Sequence, residues 1–185
     1  MYPLTLEPFV EEPFVPPHFG IIGASDTWAQ AESYRLRRDV FCTEQGIFRD
    51  DDRDELDDRA ETIVAVDYLA GMMYRVVGTV RVAEISPGLW NGSRLAIKRE
   101  YRDVYGLGRA LVHRAVTTAT GRGAREFIAT VQRANVPFFR RLAWEAVEEI
   151  VVHGHPHTFM RADLAAYPPL ADPARAVLLS VRRAS

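Results

Sequence analysis

The densest chemical information in the chain lies in Leu95-Ala-Ile-Lys-Arg-Glu-Tyr-Arg-Asp-Val-Tyr-Gly-Leu-Gly-Arg-Ala-Leu111. A short apolar strand feeds a loop with two glycines, and the loop opens directly into a helix. Glycines let backbone N–H groups approach an anion with no Cβ in the way. The helix start adds unpaired donors and a partial positive charge. Lys98, Arg99, Arg102 and Arg109 surround the same spot with cations. Such a pocket suits a pyrophosphate. A dinucleotide fingerprint does not fit, because the third position after Gly108 is Leu111 where that motif needs another glycine. A P-loop does not fit either, since no Gly-Lys-Ser/Thr follows.

Three further groups could do chemistry. Residues 49–59 hold seven acids among eleven and read as a solvated loop. Asp50, Asp52, Asp54 and Glu61 fall at calcium-loop spacing, but Glu55 stands where the sharp turn demands glycine. His153, His155 and His157 alternate as zinc ligands on one strand face would, yet Gly154 and Pro156 interrupt that strand. No metal is therefore expected at either place. Arg37 and Arg81 border apolar stripes, where a guanidinium can fork onto a carboxylate.

Positioning these groups requires a frame. Ser25-Asp26 caps a helix over residues 28–42, with Ser33, Leu36, Val40 and Phe41 on one stripe. Strands follow at 62–66 and 76–82, joined through Gly71 as a hairpin. Pro87-Gly88 and Asn91-Gly92 mark turns, and 94–97 is another short strand. The helix opened by Gly106-Leu-Gly108 buries Leu111, Val112, Ala115, Val116 and Ala119, and Gly121 and Gly123 end it. Residues 126–131 form a strand, 135–142 a short helix, and 148–152 and 157–164 two last strands. The order predicts an α/β or α+β domain, with a mixed, mostly antiparallel sheet flanked by helices. The expected organisation is an extended Pro-rich arm over 1–24, the domain over 25–168 and a tail over 169–185. Within the arm, Glu-Pro-Phe-Val occurs twice, and Phe9, Val10, Phe14 and Val15 are its docking anchors.

The chain has 185 residues, 48% hydrophobic and 26% charged, which suits one soluble domain. With 23 basic and 25 acidic residues the formal net charge is -2, so no basic field exists to hold nucleic acid. One cysteine, Cys42, excludes an internal disulfide and suits a reducing cytoplasm. The acidic, Pro-rich first twenty residues do not read as a signal peptide. No run of about 18 apolar residues offers a membrane span.

Residues 95–110 resemble the acyl-CoA pyrophosphate loop of the GNAT superfamily of N-acyltransferases. Asn135-Val-Pro-Phe-Phe-Arg-Arg-Leu-Ala-Trp144 resembles that family's next element, an Asn followed by an aromatic pair. Arg37-Arg-Asp-Val-Phe-Cys-Thr-Glu-Gln45 is similar to a subgroup whose first helix carries Arg, Val-Phe and Glu-Gln. The resemblance spans roughly residues 28–165. It implies an enzyme that moves an acetyl or other acyl group from acetyl-CoA or another acyl-CoA to the amine of a small molecule by direct attack.

On that resemblance Leu95, Ala96 and Ile97 would pair with pantetheine. Arg102, Tyr105, Gly106, Leu107, Gly108, Arg109 and Ala110 would hold the pyrophosphate, and Asn135 and Phe138 would complete the cofactor site. Glu44 would take the amine proton. Arg37, Phe41 and Arg81 would bind an acceptor expected to carry a carboxylate. Two departures stand out. Asp103 occupies the place of the family's usual basic or Gln residue, with Arg102 one position further back. Phe139 replaces the family's frequent Tyr, so it cannot protonate the departing thiolate.

A second resemblance is to acyl-homoserine-lactone synthases, which share this fold and act on S-adenosylmethionine. Arg37, Phe41, Asp54 or Asp57, and Arg81 match their pattern, while Ile47 stands where they carry Trp. A catalytically silent CoA-binding module is the remaining alternative.

Overall fold

The computed structural model describes residues 18–69, 72–170, 172 and 176–180. The expected anchors at residues 9–15 and the turn at Gly71 lie outside them.

Among the described residues, eight strands form one sheet in the order β6-β7-β5-β4-β3-β2-β1-β8. The strands are β1 (His18–Gly23), β2 (Glu61–Leu69), β3 (Met72–Ser86), β4 (Leu89–Ile97), β5 (Glu126–Gln132), β6 (Trp144–Val152), β7 (His155–Ala162) and β8 (Val177–Ser180). Every pairing is antiparallel except β4 with β5. The chain makes that parallel step through helix α2 (Leu107–Gly121), as a parallel connection must leave the sheet plane. β1 lies in the segment expected to be an extended arm, and β8 in the expected tail. Both are extended, but they pair with each other and extend the sheet.

Each face of the sheet carries its own core. Helix α1 (Thr27–Arg37) covers one face, where Leu36, Val40 and Phe41 pack on Val64, Val66 and Val76. Helix α2 covers the other, where Leu111, Ala115 and Val116 pack on Ile63, Ala65 and Val77. The alternation of Ile63, Val64, Ala65 and Val66 between the two cores is the period-two signature of a strand buried on both faces. Gly78 lets α2 sit close, because a Cβ there would lie 2.8 Å from the Leu111 Cδ1.

The first helix starts as expected. Asp26 caps it by accepting the Ala29 N–H at 2.8 Å. It does not remain α to its end: Arg38–Glu44 forms a π-helix, with Gln45 N–H bonded five residues back to the Val40 carbonyl. The wider turn re-aims the side chains at the helix end.

Asn91-Gly92 is not a turn. Both residues lie inside β4, and Gly92 is needed there because a Cβ would meet the Phe127 ring at 2.8 Å. The dipeptide carries a strong turn signal, but close contact with a neighbouring ring selects the same glycine. None of the described helices is long and apolar enough to cross a membrane.

Candidate active site: two cavities joined where the sheet splits

β4 and β5 pair only from Leu89↔Glu126 to Gly92↔Ala129. Beyond that register the two strands diverge, and a V opens in the middle of the sheet. A bulge sharpens the split: Thr79 faces Ala96 and Arg81 faces Ser93, so Val80 stands opposite both Arg94 and Leu95. Arg94 takes φ 55°, which turns its side chain away from the direction a regular strand would give.

A cleft of about 990 Å³ lies on one side of the V. The β4 segment Leu95, Ala96 and Ile97 lines it, as do Arg102, Tyr105, Gly106, Gly108 and Arg109 of the loop and helix start, and Asn135 and Phe138. Ten of the twelve expected cofactor residues therefore share one cleft. The other two face elsewhere: Leu107 is wholly buried in the core, and Ala110 packs against that core. Gly106 holds φ 87° at the helix start, a conformation that favours glycine. Gly108 sits between the Ile97 and Phe138 side chains, each 3.4 Å from where its Cβ would be. Helix α3 (Val136–Arg140) sets Phe138 and Phe139 edge to face, and Phe139 meets Trp144 in the same manner.

Arg102 does not present a bare cation to this cleft. Its two terminal nitrogens donate to Glu44 at 2.5 and 2.7 Å, and its Nε donates to the Ile97 carbonyl at 3.1 Å. This fork holds the Glu44 carboxyl below its ordinary range. Glu44 lines neither cavity. Glu44, the expected proton acceptor, thus ties the end of the first helix to the loop that carries Arg102. His113 also borders the cleft, and burial followed by the Arg109 charge lowers its pKa.

A second cavity, of about 440 Å³, lies on the other side of the V. Gln45, Leu95, Gln132, Asn135 and Phe139 line both cavities, so the two meet there. The π-helix directs Val40 into the first cavity and Phe41 into the second. Gln132 Nε2 donates to Gln45 Oε1 at 2.9 Å, bridging the helix end to β5 at the junction. Phe48 borders the second cavity, with Arg94 stacked over its ring and His153 edge-on to it.

The acidic loop forms a buried lattice beside that cavity. Arg37 donates through Nε to Asp52 at 2.8 Å, and through Nη1 and Nη2 to Asp57 at 2.5 and 3.0 Å. Its Nη2 also reaches the Asp52 carbonyl. Arg81 forks onto Asp54 at 2.6 and 3.0 Å, and also donates to Asp57 and Ser93. Arg94 bonds the Asp52 carbonyl and the Asp54 carboxylate. Arg37 and Arg81 each commit four of five N–H donors inside the protein, so neither offers a free fork to an acceptor carboxylate. The Asp52 and Asp57 side chains are buried while Asp54 stays partly exposed, whereas a solvated loop was expected. Residue counting misses this, because acids that pair with distant arginines look the same in sequence as acids that face water.

Among the described residues no group of three or more His, Cys, Asp or Glu side chains is placed to hold a metal ion.

The comparisons with known proteins agree with this geometry. The family model "Acetyltransferase (GNAT) family" matches residues 28–144, and the chain belongs to that family. The uncharacterized N-acetyltransferase YjcF of Bacillus subtilis is 26% identical over 134 residues, which is 71% of this chain and 91% of that protein. A protein from Lactobacillus plantarum, provisionally classed as an N-acetyltransferase, superimposes with a TM-score of 0.70 at 24% identity. That match covers 79% of this chain and 98% of the other. The CoA-dependent acyl-homoserine lactone synthase BjaI, solved with S-adenosylmethionine and isopentyl-CoA, superimposes with a TM-score of 0.64 at 18% identity. It covers 79% of this chain and 83% of its own. These two structures share the fold.

Proposed function

We propose that the protein transfers an acyl group from acyl-CoA to the amine of a small molecule, by direct attack at the junction of the two cavities. The V between β4 and β5 carries this reading, because it opens the glycine-loop cleft onto a separate cavity of ligand size. The loop and helix start would take the pyrophosphate, and the unpaired part of β4 would take the pantetheine amides. The thioester would then reach the junction near Leu95 and Asn135, with the acceptor entering past Phe41, Phe48 and His153.

Direct attack needs a neutral amine, so a proton must leave it. We assign that task to His157 in place of Glu44. His157 lines the second cavity, and its Nδ1 lies 2.9 Å from the His155 carbonyl. A carbonyl accepts, so in the neutral ring Nδ1 holds the proton and Nε2 keeps the lone pair. The attacking nitrogen forms the C–N bond, the C–S bond breaks, and CoA leaves as the thiol once the thiolate takes a proton. The saturated forks of Arg37 and Arg81 favour an acceptor held by hydrogen bonds rather than by a carboxylate clamp.

A mass-spectrometric screen of acyl-CoA donors against pooled amines, S-adenosylmethionine included, tests the reading. Stoichiometric release of CoA with an acylated amine supports it. Acylation only of S-adenosylmethionine would favour the synthase alternative, and CoA binding without turnover would favour the silent module. With the acceptor in hand, His157→Gln is expected to lower kcat by about 10²–10⁴. An unchanged kcat removes His157 from the mechanism.

A further inference from the structure

The two cavities meet at five residues, Gln45, Leu95, Gln132, Asn135 and Phe139, and none of them carries a charge. Leu95 and Phe139 end in hydrocarbon, so the polar groups that side chains bring to the junction are three amides. Two of these are tied together, because Gln132 Nε2 donates to Gln45 Oε1 at 2.9 Å. The Asn135 side chain makes no such tie at the start of α3. The π-helix explains why Gln45 stands there. Its own N–H bonds back to the Val40 carbonyl, and Gly46 then takes φ 62° and turns the chain away. Gln45 is exposed, so open space lies against its amide.

The bridge uses only part of each amide. Gln45 engages its carbonyl and keeps both N–H groups on Nε2. Among the described residues no other side-chain hydrogen bond holds either glutamine. The donated bond also polarises the Gln45 amide, which strengthens its remaining N–H groups as donors. Attack on a thioester places negative charge on the carbonyl oxygen, and a fixed side-chain amide is one of the groups that can receive it. A neutral donor suits this junction, since a cation would repel the ammonium from which the attacking amine arises.

We infer that Gln45 Nε2 donates to the thioester carbonyl oxygen and polarises it for attack, with Gln132 as the positioning residue that fixes the amide. The inference rests on the acyl-CoA reading above and adds to it the side chain that activates the carbonyl. The amine lone pair forms the C–N bond while the carbonyl π pair moves onto the oxygen held by Gln45. That pair returns as the C–S bond breaks. His157 takes one proton from the amine and the departing thiolate receives one, so the charges balance.

Isotope-edited infrared spectroscopy of acetyl-CoA carrying ¹³C at its carbonyl, bound to the full chain, tests this without knowledge of the acceptor. Gln45→Leu removes the donor, so the bound carbonyl band is expected to move to higher wavenumber. Gln45→Glu keeps an acceptor for Gln132 but donates nothing when ionised, and the same upward move is expected. Gln132→Leu leaves the donor but frees it, and a smaller upward move is expected. Thermal melts report that each variant folds, and calorimetry that each still binds acetyl-CoA. With an acceptor in hand, Gln45→Leu should lower kcat by about 10²-fold at unchanged donor affinity. An unmoved band in Gln45→Leu, or a kcat within twofold of wild type, overturns the assignment and leaves the acyl-CoA reading intact. A band that moves in Gln45→Leu but not in Gln45→Glu also overturns it, by showing that the bridge alone matters. A band in Gln132→Leu equal to wild type removes the positioning role. Absence of any CoA binding by the wild-type chain overturns both readings.

Discussion

Asp57 links two buried arginines, and its carboxylate decides whether they remain tolerable in the interior. Burial alone would raise its pKa, but the Arg37 hydrogen bonds, the Asp54 amide and the Arg81 charge hold it well below the ordinary carboxylate range. Asp57→Asn would leave the Arg37 and Arg81 charges under-compensated in a dry environment. Breaking a buried ion pair by removing one partner costs about 3–5 kcal/mol. Urea denaturation should show a loss of that size, whereas an exposed pair would cost under about 1 kcal/mol. Phe139 makes the opposite case, since it lines both cavities but has no proton to give. On the proposed mechanism, Phe139→Tyr is expected to leave kcat within a few-fold, because the departing thiolate would take its proton from water, the acceptor or a tyrosine such as Tyr105. A hundredfold gain would show that the native site lacks an acid.

At the scale of elements, the loop that opens α2 depends on two glycines for different reasons. Gly106 is held at φ 87°, so Gly106→Ala should cost about 1–2 kcal/mol of stability through backbone strain. Gly108 has no such φ, and the nearest side chains leave a methyl just tolerable. On the proposed function, Gly108→Val should instead weaken acyl-CoA binding by at least tenfold, about 1.4 kcal/mol, by pushing a branched side chain into the cleft between Ile97 and Phe138. Equal affinity by calorimetry in a folded Gly108→Val variant would contradict this.

These elements were legible in the sequence because their signals are local. The α2 stripe Leu111, Val112, Ala115, Val116 and Ala119 repeats at helical spacing, and all five are buried. The strand–Gly-x-Gly–helix order lies within seventeen consecutive residues. The π-helix was not legible, because its hydrogen bonds shift by one residue without any change of residue type. Strands β1 and β8 were hidden by proline-rich surroundings, and their pairing joins segments more than 150 residues apart. The partners of Glu44, Arg37 and Arg81 were not legible for a related reason. Charge and helical position identify a residue that can bind, but not the partner from a distant loop that already occupies it. Arg94 and Gln132 carried no signal, since each gains its place from the split between β4 and β5.

For the whole molecule, the buried lattice sets a direction of pH dependence. Asp54 and Asp57 both have depressed pKa values. Their contribution is present above the unfolded carboxylate value, near about 3.9, and is lost as pH falls through the folded values. Asp67 acts in the opposite sense. Burial raises its pKa although Tyr101 donates to it at 3.0 Å, so its protonation in mild acid favours the folded state. Two depressed carboxylates, one of them strongly, should outweigh one raised carboxylate. Thermal melts between pH 7 and pH 3 should therefore show a Tm that holds in mild acid and drops steeply below about pH 4. A Tm that rose continuously toward pH 3 would show that the lattice contributes little.

The split in the sheet has a further consequence, which concerns time rather than structure. Residues 93–97 are paired with β3 on one side, but on the other they face the opening where β5 has diverged. A sheet of eight strands would ordinarily shield the amides at its centre best and leave its margins to exchange. Here the amides that point into the V lie at the middle of the sheet yet open onto the cleft. In deuterated solvent they should take up label on the timescale of an edge strand, as a fast seam between two slow halves. Saturation with an acyl-CoA should slow that seam selectively, so the ligand would act as the strand that the chain itself leaves out.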